Sequence, residues 1–176
     1  MHRTTLACLM ALGSAVFVIG CDDDDDDPVG PVAETFRATL TGTAERPTPR
    51  ETPAEGTADF TFRNDTLFWT IQMDDIENVI MAHIHVGSAD VAGGIILFLT
   101  PPVSNTEIEN FIAREDFETP SAPNEDITFD DLLDLMRSGG AYVNVHTNDP
   151  SNDPTNNAGP GDFPGGEIRG QIAKIS

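Results

Sequence analysis

Apolar and polar residues alternate with a period of two over much of the chain, the spacing that sends successive side chains to opposite faces of a β-strand. The clearest run is Leu67-Phe68-Trp69-Thr70-Ile71-Gln72-Met73, in which Leu67, Trp69, Ile71 and Met73 form one apolar face. Trp69, the only tryptophan, reads as a core anchor. Upstream, Ala58, Phe60 and Phe62 oppose Thr57, Asp59 and Thr61, and Asn64-Asp65 supplies a hairpin turn between the two runs. Phe36 to Thr41 alternates likewise, and the last such run, Gly166 to Ile172, sets Ile168 and Ile172 against Glu167, Arg169 and Gln171. Two further strands are predicted at Met81–Gly87 and Ala141–Thr147. Ile95 to Leu99 is continuously apolar, which predicts a strand buried on both sides, stopped by Pro101-Pro102. The polar stretch from Val103 to Asp126 reads as an irregular insertion with a helical turn around Ile108 to Ala113.

One segment follows the helical period instead. Phe129, Leu132, Leu133 and Met136 share a face, Thr128 is placed to cap the N-terminus, Asp130 and Asp131 suit its dipole, and Gly139-Gly140 ends it. The expected fold is therefore all-β: an antiparallel, Greek-key-like β-sandwich of about seven or eight strands, with one short helix inserted at about residues 128–137.

The N-terminus reads differently. Met1-His2-Arg3 is a short basic region and Leu6 to Ile19 an apolar one of signal-peptide length, too short and poorly flanked for a transmembrane helix. It runs into Val18-Ile19-Gly20-Cys21, which resembles a bacterial lipobox, the alternatives being an ordinary signal peptide or an uncleaved anchor helix. That resemblance implies cleavage before Cys21 and a lipid on its thiol, hence a membrane anchor in a bacterial cell envelope, on the periplasmic or cell-surface side. Of the two cysteines, Cys8 would leave with the signal and Cys21 would be acylated, so no disulfide is expected. Asp22 to Asp27 is an unbroken acidic run that predicts a solvated tether. The expected organisation is a signal peptide over 1–20, a lipidated cysteine and acidic tether over 21–34, and one domain over 35–176.

Lys and Arg number 9 against 30 Asp and Glu, a formal charge of −21. Without the six tether aspartates and Arg3 the balance is still 24 acids against 8 bases. That argues against nucleic acid and anionic lipid surfaces, which it would repel, and is compatible with cations and with plain solubility in a salty exterior.

The chemistry concentrates in the histidines. The sequence has four; His2 lies in the signal, and the others are His83, His85 and His146. His83 and His85 share a strand face, as do Tyr142, Asn144 and His146 on a second strand. If the two strands are near each other, three imidazoles converge, a neutral donor set suited to copper or zinc with a fourth position open to water. Tyr142 and Asn144 are candidate supports for the ligands, and Glu167 could add a carboxylate if its strand neighbours the site. Glu167 and Arg169 are expected to form a same-face ion pair or to bond a neighbouring strand. The alternative is that the histidines hydrogen-bond across strands and to loop backbone, in a structural module that contacts proteins or glycans. Asp149, Asn152, Asp153 and Asp162 lack EF-hand spacing and read as turn formers rather than a calcium loop. There is no nucleophile elbow, phosphate loop or Cys–His pairing, so a non-catalytic module is expected.

Several pieces in this order resemble the CHRD (chordin-type) domain family. They are Leu40-Thr41-Gly42 with Glu45 and Pro47, Gly56-Thr57-Ala58, Ala82-His83-Ile84-His85, Tyr142 to Thr147, and Gly165 to Ile172. The resemblance spans about residues 36–173 and implies a β-sandwich module of secreted and surface proteins without an assigned activity. Residues 103–126 and the loop before Gly165 depart from its compact form. The His-x-His strand is also similar to the copper strand of Cu/Zn superoxide dismutases, which makes a copper redox enzyme a remote alternative. Such an enzyme needs further histidines, an aspartate and a disulfide, and three histidines cannot build its site.

Overall fold

The computed structural model describes residues 33–99, 105–151 and 159–176. The signal, Cys21, the aspartate tether, Pro101-Pro102, Asn152 and Asp153 lie outside the described residues. Nine strands and one α-helix follow in the order β1 (Glu34–Thr41), β2 (Glu55–Arg63), β3 (Thr66–Asp74), β4 (Val79–Val86), β5 (Ile95–Phe98), β6 (Glu107–Ala113), α1 (Phe129–Ser138), β7 (Ala141–Thr147), β8 (Ile168–Gln171) and β9 (Ala173–Lys174). They form one antiparallel sheet in the order β5-β4-β7-β8-β1-β2-β3-β6, with β9 also pairing with β1.

The sheet curls into a half-barrel, because its two ends share one core. The Trp69 indole on β3 donates to the carbonyl of Leu99, just beyond β5, at 3.0 Å. Ile84, Ile96 and Leu99 from one end and Trp69, Ile71 and Ile108 from the other belong to one buried cluster. The two layers of the expected sandwich are thus two halves of a single sheet. Helix α1 adds Phe129, Leu132, Leu133 and Met136 to the same cluster. Its start is a capping box: the Thr128 hydroxyl accepts from the Asp131 amide while the Asp131 carboxylate accepts from the Thr128 amide. Gly139 ends it in the left-handed region at φ 71°. The β2–β3 hairpin turns through Asn64 and Asp65 at φ 49° and 55°, as a two-residue loop requires.

Two strand expectations are corrected. Residues 108–113 are not a helical turn but most of β6, paired with β3 from Thr66 to Gln72. As an edge strand with one face in solvent it needs only Ile108 and Ile112 turned inward, and Asn110 between them breaks the alternation. The Ile95–Leu99 strand is likewise not buried on both sides. β5 is the other edge, and Phe98 is 60% exposed on the outer face.

Candidate metal centre

On β4, β7 and β8 the period-two pattern sends Ala82, Ile84, Val143, Val145 and Ile168 into the core. The alternate residues, His83, His85, Tyr142, Asn144, His146 and Arg169, face the other way, yet all are buried. Three loops cover them: 42–54, 87–94 and 159–167. The result is a second, polar layer on the outside of the sheet.

The β4–β7 pairing brings the three histidines together. His83 lies opposite Asn144 and His85 opposite Tyr142, while His146 is diagonal to His83. One ring nitrogen from each histidine falls within 4.8 Å of the others. The loops fix the tautomers. His85 Nδ1 lies 2.9 Å from the Gly93 carbonyl and His146 Nδ1 lies 2.9 Å from the Pro164 carbonyl. A carbonyl only accepts, so both Nδ1 atoms carry the proton and both Nε2 atoms hold a bare lone pair. His83 Nδ1 then donates to His146 Nε2 at 3.2 Å. That leaves Nε2 of His83 and Nε2 of His85 buried with no hydrogen-bond partner. Each unpaired acceptor costs on the order of 1–3 kcal/mol, and a cation would satisfy such lone pairs.

Burial drives the imidazoles neutral. It lowers His83 from 6.5 to about 3, helped by the His146 and His85 rings, and lowers His85 to about 4 against the pull of the Gly93 carbonyl. His146 is also lowered by burial, opposed by its bond to Pro164. Near pH 7 all three imidazoles are neutral, the form in which histidine ligates a metal. Tyr142 stacks on His85 with ring centroids 5.0 Å apart and planes 9° from parallel. Its hydroxyl accepts from the Gly93 amide at 3.0 Å, so the same loop residue holds both rings. The Arg169 guanidinium covers the far side of Tyr142, 3.4 Å from the ring centroid, and donates to the Ser88 and Val91 carbonyls. Phe98 meets His83 edge-on at 4.5 Å.

The predicted carboxylate lies elsewhere. Glu167 accepts from the hydroxyls of Thr52 and Thr147 and from the Gly161 amide, and it is not part of the histidine cluster. Of the two arrangements expected for Glu167 and Arg169, the bond to a neighbouring strand forms, from the Thr147 hydroxyl of β7 to Glu167, and the ion pair does not, because Arg169 donates to the 87–94 loop instead. Asp162 is buried in the polar layer, where its carboxylate accepts from the Asp149 amide. Sequence reasoning did not place Glu45 at the site. The loop after β1 buries it there, and Asn144 Nδ2 donates to its Oε2 at 3.3 Å. Burial raises its carboxyl from 4.5 to about 7, opposed by Arg169 and Arg50. Glu45 Oε1 and Asn144 Oδ1 are unpaired, and both border Gly166. A Cβ there would lie 2.5 Å from Asn144 Oδ1, at φ +116°, so this position needs glycine.

The family model of the CHRD domain matches residues 36–152, about two thirds of the chain. The chain belongs to the CHRD domain family. Within this CHRD domain the matched residues include β1 from Phe36 onward, all of β2 to β7 and all three clustered histidines. The Gly165–Ile172 stretch follows the matched residues, although β8 within it pairs between β7 and β1 in the same sheet. No curated protein sequence matches the chain.

Proposed function

We propose that this CHRD domain is a transition-metal-binding module that holds one copper or zinc ion between His83, His85 and His146, and that a lipid on Cys21 anchors it to a bacterial cell envelope. The carrying observation is the convergence of three buried imidazoles whose nitrogens lie within 4.8 Å of one another. Two supports point the same way. A ligating histidine usually donates its other ring nitrogen to a carbonyl or carboxylate, as His85 and His146 do to Gly93 and Pro164. Nε2 of His83 and Nε2 of His85 are buried without a hydrogen-bond partner, lone pairs that a cation would satisfy. When bound, the ion would act as a Lewis acid with a coordination position free for water or a partner's side chain.

The second reading rests on the 3.2 Å contact from His83 Nδ1 to His146 Nε2. It is a sound hydrogen bond by itself, and it fits histidines that only fasten two loops to the sheet of a protein- or glycan-binding module. Calorimetric titration of Cu(II) and Zn(II) into the full chain, with electron paramagnetic resonance on the copper form, separates the two. The metal reading expects one sub-micromolar site whose nitrogen hyperfine lines disappear in His83→Gln, His85→Gln and His146→Gln, with folding checked by circular dichroism. Weak, multi-site binding indifferent to all three changes would leave the histidines as fasteners and turn attention to protein and glycan partners.

A further inference from the structure

The polar layer also bears on which ion fits. We propose that the histidine centre selects cuprous copper, Cu(I), over Cu(II) and Zn(II). This rests on the metal-binding reading above and adds the charge the site accepts. Among the described residues the cluster able to hold an ion consists of three histidines, with no carboxylate or thiolate in it. An imidazole is a neutral donor, so the whole charge of the ion stays uncompensated in its first layer of ligands. His83 is 1% exposed and His85 and His146 are each 8% exposed, so water screens that charge poorly. The cost of burying an ion grows as the square of its charge, which makes a dication about four times as expensive as a monocation.

The surroundings deepen the difference. The guanidinium of Arg169, 1% exposed, lies over Tyr142, and Tyr142 lies over His85, which puts a fixed positive charge one ring away from a ligand. The buried carboxyls on this side of the sheet are engaged outside the cluster: Glu45 bonds Asn144 and faces the positive charges of Arg169 and Arg50, Asp162 accepts from the Asp149 amide, and Glu167 accepts from Thr52, Thr147 and Gly161. Coordination number agrees. Three nitrogens satisfy Cu(I), whereas Zn(II) needs a fourth ligand, which here would have to be a water drawn into the buried layer. Phe98, the side chain that meets His83 edge-on, is a hydrocarbon and supplies none.

The test is anaerobic competition of the full chain against bathocuproine disulfonate for Cu(I), beside matched chelator competitions for Cu(II) and Zn(II). The expected result is Cu(I) held at least about a thousandfold more tightly than Cu(II), equivalent to a couple about 180 mV above the unbound one at 59 mV per decade. Cu(II) or Zn(II) binding as tightly as Cu(I), with loss of binding in the three His→Gln variants, overturns the selectivity and leaves the metal site standing. Failure of all three ions to bind overturns the metal reading, and the selectivity with it.

Discussion

A carboxyl group buried short of partners can take a proton, and Glu45 is in that position. One of its oxygens accepts from Asn144 and the other is unpaired, next to the equally unpaired Asn144 Oδ1. A proton on Glu45 provides the donor that this pair of oxygens lacks. Its folded pKa of about 7 lies above the unfolded 4.5, so the stability it contributes is full below 4.5 and is lost as pH rises through about 7. His83 and His85 work in the opposite sense. Their folded values of about 3 and 4 lie below 6.5, so their contribution is full above 6.5 and is lost as pH falls toward 4. Between pH 4.5 and 6.5 the two trends oppose each other. Glu45→Gln removes one of them, since an amide can donate to Asn144 without a proton from solvent. The variant is expected to gain up to about 3 kcal/mol over the parent at pH 8.5 and almost nothing at pH 4.5, read by urea unfolding at both values. Equal gains at the two pH values would show that Glu45 is not held protonated by its burial.

At the scale of elements, alternation along a strand reports which residues share a face and says nothing about which strand lies alongside. The face assignments on β3, β4, β7 and β8 were legible for that reason, and so was α1, whose cap, apolar stripe and terminal glycine are all local. The meeting of His83, His85 and His146 required β4 and β7 to be neighbours, which is set by sheet order and not by either segment. β6 escaped notice because an edge strand needs few apolar residues, and the exposure of Phe98 because an apolar run looks the same at an edge as at the centre. Glu45 was hidden by its place in a proline-rich loop, where only the fold decides what is covered. The half-barrel has its own long-range fastening in the bond from Trp69 to the Leu99 carbonyl. Trp69→Phe keeps most of the ring volume but leaves that carbonyl buried and unpaired. The expected cost is about 1–3 kcal/mol in denaturant unfolding, and a change below about 0.5 kcal/mol would mean that the bond does not hold the ends together.

Over the whole molecule, charge and anchoring belong together. A chain with a formal charge of −21 is repelled by anionic phospholipid, so its hold on a membrane would have to be covalent. One acyl chain binds only marginally, and stable anchoring takes more than one. Cys21→Ser is expected to move the protein from the membrane fraction to the soluble fraction of a bacterial host and to abolish incorporation of labelled palmitate. Unchanged membrane association would put the anchor elsewhere. The polar layer has a consequence of its own, because it lies across the sheet from the hydrophobic cluster. The Gly93 and Pro164 carbonyls that orient His85 and His146 sit in loops, and lifting a loop breaks a few bonds while the sheet stays intact. Such local openings cost much less than unfolding. Solvent deuterium should therefore reach the Gly93 amide, bonded to Tyr142, by loop breathing, while the amides of Val143 and Val145 wait for the whole sheet. The histidines would meet the outside on the faster of these two clocks.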